Sequence, residues 1–270
     1  MRSFPIFILL AFFVAACGPD TASSETDTAT EETATTEETT ATEGSIKLVP
    51  MPETPSYPGA QITGMKFNDG TFNFGIDGGE DSYELGAQTP NADQLMCANS
   101  GKGQHIHLIV DNEPYAAKYT AEFDYEMPDG LHYILAFISR SYHESIKHEG
   151  ASRAVMGKVV GNTLDDYAEI TDPMLFYSRP KGTYTGKDTE NVMLDFYPVN
   201  AELGNGYQVK VEVGGQTFMV DTWQPYYFQG LPMGENTVVL TLVDAEGNTV
   251  NAPHNPVKRV FTLAEDKGDS

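Results

Sequence analysis

The feature that most constrains this chain is a repeat of itself. Gly103-Gln-His-Ile-His-Leu-Ile-Val110 lies against Gly206-Tyr-Gln-Val-Lys-Val-Glu-Val213, and Gly130-Leu-His-Tyr-Ile-Leu-Ala-Phe-Ile138 lies against Gly234-Glu-Asn-Thr-Val-Val-Leu-Thr-Leu242, with one residue of slippage between the two matches. The segments between them correspond in kind. Asp111-Asn112 and Gly214-Gly215 read as hairpin turns, and Tyr115 and Phe218 open the strands that follow. Within the second copy Val209, Val211 and Val213 alternate with Gln208, Lys210 and Glu212, the pattern of a half-buried antiparallel strand. A fold used twice, built from such strands, is the expectation that follows.

Punctuation along the chain agrees. From residue 59 onward, runs of Val, Ile, Tyr, Phe and Thr are separated by Gly, Asn, Asp and Pro clusters, and only Leu164 to Ile170 suggests a short turn of helix. The glycine-opened, Val/Leu-rich strands resemble those of immunoglobulin-like or fibronectin-III-like sandwiches. The fold expected is therefore all-β: two tandem antiparallel β-sandwiches, over 59–158 and 174–266, joined by a connector at 159–173. Leu135 and Phe137 add apolar residues to the second face of their strand, so that strand should be covered on both sides, by the second domain or the connector.

The N-terminus has a different composition. Arg2 precedes an apolar run, Phe4 to Val14, that is shorter than the roughly 20 residues a membrane-spanning helix needs. It ends in Val14-Ala15-Ala16-Cys17, which resembles the lipobox of Gram-negative bacterial lipoproteins. That resemblance implies that residues 1–16 are a signal peptide and that Cys17 becomes an acylated N-terminus. Gly18 rather than aspartate follows Cys17, which points to the outer membrane by the retention rule of enteric bacteria. The protein is thus expected in the cell envelope, facing the periplasm or the outside, with the membrane as a partner through its lipid.

Residues 17–58 read as a tether and strap. A Thr/Glu/Ala stretch to Gly44 carries no Lys or Arg and no aromatic, so it cannot bury enough surface to offset the entropy of ordering. Four prolines, Pro50, Pro52, Pro55 and Pro58, follow it. A net charge of −23 makes a phosphate backbone an unfavourable partner, so nucleic acid is not expected.

The sharpest chemistry lies at His105-Ile106-His107. With Ile106, Leu108 and Val110 facing the core, both imidazoles leave the same face of one strand about 6.6 Å apart. Zinc or copper would accept such a pair. A third ligand is available in Cys97, Met96, or the segment carrying His143 and His148. The competing reading is a pair of ordinary surface residues, with Ser139–His148 a loop capping the sandwich. His148 follows His143 by five positions, not the four of a helical zinc-protease motif.

Trp223, Tyr226 and Tyr227 form either an aromatic platform for a sugar or peptide or part of the core and its rim. Tyr177-Ser178-Arg179-Pro180-Lys181-Gly182 reads as an exposed strand and turn whose Arg179 and Lys181 balance local acid or meet a phosphate or carboxylate. Neither a Gly-X-Ser-X-Gly elbow nor a phosphate-cradling glycine loop is present. The function expected is a non-catalytic binding or scaffold module that needs no cofactor. The alternatives are a copper- or zinc-binding lipoprotein, and one that binds a surface glycan, a peptide (phosphopeptide-binding-like) or another envelope protein.

Overall fold

A computed structural model describes residues 45–266 of the 270-residue chain. The expected signal peptide, the acylation expected at Cys17 and the stretch read as an acidic tether lie outside the described residues. Four β-sheets make up the rest, and they stack as two modules.

The first module opposes a three-stranded sheet to a five-stranded one. β2 (Gln61–Asn68), β3 (Thr71–Asp77) and β6 (Glu122–Asp124) form the smaller sheet. β5 (Ala116–Lys118), β4 (His105–Val110), β7 (Gly130–Ser139), β8 (Ser152–Val160) and β9 (Thr163–Glu169) form the larger, in that order. Between them Phe67, Phe72, Ile106, Leu108, Ile134 and Ile138 are buried.

The second module repeats the plan. β10 (Met174–Arg179), β12 (Val192–Val199) and β15 (Tyr226–Gln229) oppose β14 (Gln216–Val220), β13 (Tyr207–Val213), β16 (Gly234–Asp244) and β17 (Val257–Ala264). β11 (Gly182–Thr185) adds to the edge of the larger sheet, parallel to β17, the one departure from the expected antiparallel pairing among the described strands. The strand order β2-β3-β6 over β5-β4-β7-β8 recurs as β10-β12-β15 over β14-β13-β16-β17, as the internal repeat predicts. Val209, Val211 and Val213 pair with Leu242, Leu240 and Val238 and face inward, as their alternation requires. Asp111 and Asn112, at φ 51° and 59°, turn the chain between β4 and β5, and Gly214 and Gly215 do so between β13 and β14.

Three expectations are corrected. Lys47–Pro50 is not a strap but a strand, β1, pairing antiparallel with β15 across the chain's whole length. Residues 163–169 are not a connector or a helical turn but β9, which extends the first module's larger sheet. Alternation there is masked, since β9 is an edge strand with Leu164 its only buried residue. β10 is not exposed either: all six of its residues are buried, because its sheet is covered on both faces.

That second cover is the other module. Ile109, Leu135 and Phe137 from the outer face of β4 and β7 pack on Met174, Phe176 and Tyr197 from the outer face of β10 and β12. This is the double coverage that the apolar pattern at Leu135 and Phe137 predicts. Asn112 fastens the contact: its amide donates to Leu175 O at 2.7 Å, and its oxygen accepts from Tyr177 N at 2.8 Å. A side chain at a hairpin turn thereby completes the backbone bonding of a buried strand.

Candidate metal centre

Alternation along β4 sends Ile106 and Leu108 into the first module's core and His105 and His107 out of it. The surface reading of these histidines is overturned, because the outward face is where the second module docks. Both are fully buried. The loop after β7 then brings a third imidazole over them. His143 sits there at φ 73°, a left-handed conformation that a residue with a Cβ adopts only when its surroundings hold it.

Those surroundings are specific. Arg140 N donates to Glu144 O and His143 N to Arg140 O, both at 2.9 Å, closing the turn. Asp195 on β12, fully buried, then accepts from Ser145 N at 3.0 Å, from Ser145 Oγ at 3.2 Å and from Lys147 Nζ at 2.7 Å. The second module thus holds the loop that presents His143.

The three rings converge on their nitrogens. His105 Nε2 stands 2.9 Å from His107 Nε2 and 2.9 Å from His143 Nδ1. One ligand atom from each residue lies within 4.8 Å of the others. Nδ1 of His105 donates to Gly103 O at 2.8 Å, which places the proton there and leaves Nε2 with a single lone pair. Two nitrogens therefore compete for one acceptor. A cation among the three would use every lone pair at once.

Electrostatics keep the rings neutral. Burial, with Arg179 and Lys181 adding to it against the Gly103 bond, lowers His105 to about 4. Burial, joined by His105, His143 and the same two cations, holds His107 well below the ordinary imidazole range, and burial with Arg179, His105 and Lys181 does the same to His143. Neutral imidazole is the form that ligates a metal. Outer partners are also in place: Gly103 O on His105 and Ser178 Oγ, 3.2 Å from Nδ1 of His107, are the second-layer contacts that orient metal-bound histidines.

Aromatic rings wall the cluster. Tyr115 stacks on His107 with centroids 3.6 Å apart and planes 8° from parallel, and Tyr119 lies 4.9 Å from His105. The Tyr115 hydroxyl is 3.3 Å from His143 Nδ1.

Other expected ligands fall elsewhere. Cys97 is a free, buried thiol packed with Met51, Leu95, Tyr142, Met193 and Tyr227, and burial pushes it up to about 11. It does not join the histidines. Met96 points into solvent, and the His148 ring is bonded to Tyr57 O.

The aromatic platform is likewise not formed. Tyr226 and Tyr227 are successive strand residues and so face opposite ways, Tyr226 into the second module's core and Tyr227 into the cluster with Cys97. Trp223 packs edge-on against Tyr197 and donates from Nε1 to Phe196 O at 2.9 Å. The parts that Asn112, Ser178, Asp195 and Tyr115 play around the site escaped the sequence reading. The one signal for them was the unbroken apolar run Met174–Tyr177, which only a strand covered on both faces would carry.

No protein-family model matches the chain, and no curated protein matches it by sequence. Similar solved structures include the fibronectin(III)-like modules of Clostridium thermocellum CbhA, at 11% identity over 75% of this chain and 90% of that one, TM-score 0.28. A Ca2+-stabilized adhesin with which an Antarctic bacterium binds ice matches at 13% identity over 83% of this chain and 49% of that one, TM-score 0.24. Bacteroides ovatus SGBP-B, of a mixed-linkage glucan utilization locus and in complex with a mixed-linkage heptasaccharide, matches at 10% identity over 82% and 71%, TM-score 0.25. Likenesses this distant carry nothing about ligand or partner. The class is defined by the chain itself: a pair of immunoglobulin-like, fibronectin-III-like β-sandwiches.

Proposed function

We propose that this protein is a metal-binding lipoprotein of the bacterial envelope, acylated at Cys17, whose two β-sandwiches enclose one copper or zinc ion on His105, His107 and His143. The observation that carries the reading is the convergence of three neutral imidazoles, two buried and one half-buried, on a single acceptor lone pair. Three histidines with a position left open suit either metal. The protein acts by binding, and the ion would tie the loop carrying His143 to the strand carrying the other two.

Metal analysis of the full-length chain, purified in detergent, tests this. One equivalent of copper or zinc is expected, lost in each of His105→Ala, His107→Ala and His143→Ala. At a free metal concentration a hundred times Kd the ion adds about 2.7 kcal/mol to stability, visible as a raised Tm. Sub-stoichiometric metal that is the same in wild type and variants refutes the site. Mass spectrometry of the N-terminal peptide tests the anchor separately, and an unacylated Cys17 refutes that part.

A further inference from the structure

Arg179 and Lys181 stand beside the three histidines with no acid to answer them. Arg179 is 7% exposed, and its guanidinium donates only to phenols: Nε and Nη2 to Tyr115 Oη at 3.1 and 3.0 Å, and Nη1 to Tyr184 Oη at 3.0 Å. Lys181 donates from Nζ to Tyr115 O at 2.7 Å and lies 3.8 Å above the Tyr115 ring. Neither side chain is in an ion pair among the described residues. A buried guanidinium ordinarily has a carboxylate or other anion against it, because desolvated charge is costly alone. Yet in a chain with 39 acidic and 16 basic residues, two cations are left unanswered beside the three-histidine cluster, where a further cation would bind.

Building on the three-histidine reading above, we infer that the metal centre is the binding site for a small oxyanion, a carboxylate or phosphate, that ligates the ion through one oxygen and is held from the other side by Arg179 and Lys181. An anion there offsets three cationic groups, the ion, Arg179 and Lys181, that otherwise repel one another. Three of the guanidinium's five N–H donors are occupied by phenols, so one on each of Nη1 and Nη2 remains for an oxyanion. Three histidines leave the metal at least one open position. The Tyr115 hydroxyl lies between guanidinium and imidazoles, bonded to the first and 3.3 Å from His143, and is the group an incoming oxygen would meet.

The test uses the full-length protein loaded with Co(II), whose visible absorption reports its ligands, titrated with acetate and, in a separate arm, with inorganic phosphate. A saturable spectral change with either anion is expected, and the arm that responds identifies the anion class. Lys181→Met should weaken it at least tenfold with the bound cobalt unchanged. Arg179→Gln should do the same if it folds, while Lys181→Met alone keeps the test decisive if it does not. Cobalt absorption that neither anion moves, or an equal midpoint in Lys181→Met, overturns the inference. So does phosphate or acetate binding as tightly to the metal-free chain, since the anion would then not be a ligand of the ion. Absence of cobalt absorption before any anion is added is a different result, and it sinks the three-histidine reading itself.

Discussion

Asn112 should be the most sensitive single residue of the contact between the modules. Its amide bonds Leu175 O and Tyr177 N within a buried face, and it does this from a left-handed backbone at φ 59°. Two substitutions separate these roles. Asn112→Gly keeps the turn, because glycine adopts positive φ freely, and removes only the bonds. Each orphaned backbone group costs about 1–3 kcal/mol, so the loss of both should be about 2–6 kcal/mol in total. Asn112→Ala suffers the same loss plus about 1 kcal/mol for a Cβ in the left-handed region. Trp223, the sole tryptophan, packs against Tyr197 beside this contact, so urea unfolding followed by its fluorescence is the assay. For a domain pair of this size the glycine variant should melt roughly 4–24 °C lower. Its metal affinity should fall too, because Tyr177 sets the position of Ser178 and Arg179 against His107. A glycine variant as stable as wild type would refute the claim that the modules are docked through this amide. Equal losses in Gly and Ala would refute the strain argument.

Three further outcomes follow from the same contacts. The metal-free protein should lose stability as pH falls from 7.5 to 5: His105 titrates at about 4 when folded against 6.5 unfolded, so the unfolded chain takes the proton first. That group alone should remove about 2 kcal/mol by pH 5, with His107 and His143 acting in the same direction and Glu144, its carboxyl raised by burial, opposing. Urea midpoints at the two pH values check this, and a slope unchanged in His105→Gln would contradict it. Asp195→Ala should cost about 3–5 kcal/mol by stripping a buried carboxylate from Lys147 and Ser145, and should weaken metal binding; calorimetric titration showing wild-type metal affinity would count against the loop's being held from β12. Phe137→Glu, which puts a charge where Phe137 packs 5.5 Å from the Tyr197 ring, should lower the melting temperature and separate the modules, and identical melting curves would dispose of that interface.

What was legible in the chain was each strand that has one wet face. Val209, Val211 and Val213 announce their sheet because Gln208, Lys210 and Glu212 alternate with them, and the turns at Asp111-Asn112 and Gly214-Gly215 carry the residues that positive φ demands. Strands without that contrast were not legible as such. β10 is buried on both faces and so shows no period, whereas β9 is exposed on both and shows none either. β1 was hidden by Pro50 at its end and the prolines that follow; an edge strand tolerates a proline because one row of its backbone groups needs no ladder partner. Of the site, the His105–His107 pair and the candidacy of His143 could be read. Their burial could not, since it depends on residues 174–199, a stretch whose pairing partners no local pattern identifies.

The division of labour between the modules explains why the second copy of the repeat lacks the histidines. The matching positions, Gln208 and Lys210, lie on the outer face of a sheet that meets solvent, and both are only partly buried. An imidazole pair there would be hydrated, would titrate near its ordinary pKa and would have no third ring above it. On β4 the same face is closed by β10, and the loop that carries His143 is anchored to β12 through Asp195. Duplication therefore supplied two copies of one sandwich, but only the face shared between them is dry enough to keep three histidines neutral and aimed at one point. A chelating site at that face senses whether the modules are docked, because no single module holds all three rings in place. Separating the modules by Phe137→Glu should accordingly abolish metal binding even though each of His105, His107 and His143 remains in the chain, whereas retention of metal by the separated form would show that the first module builds the centre alone.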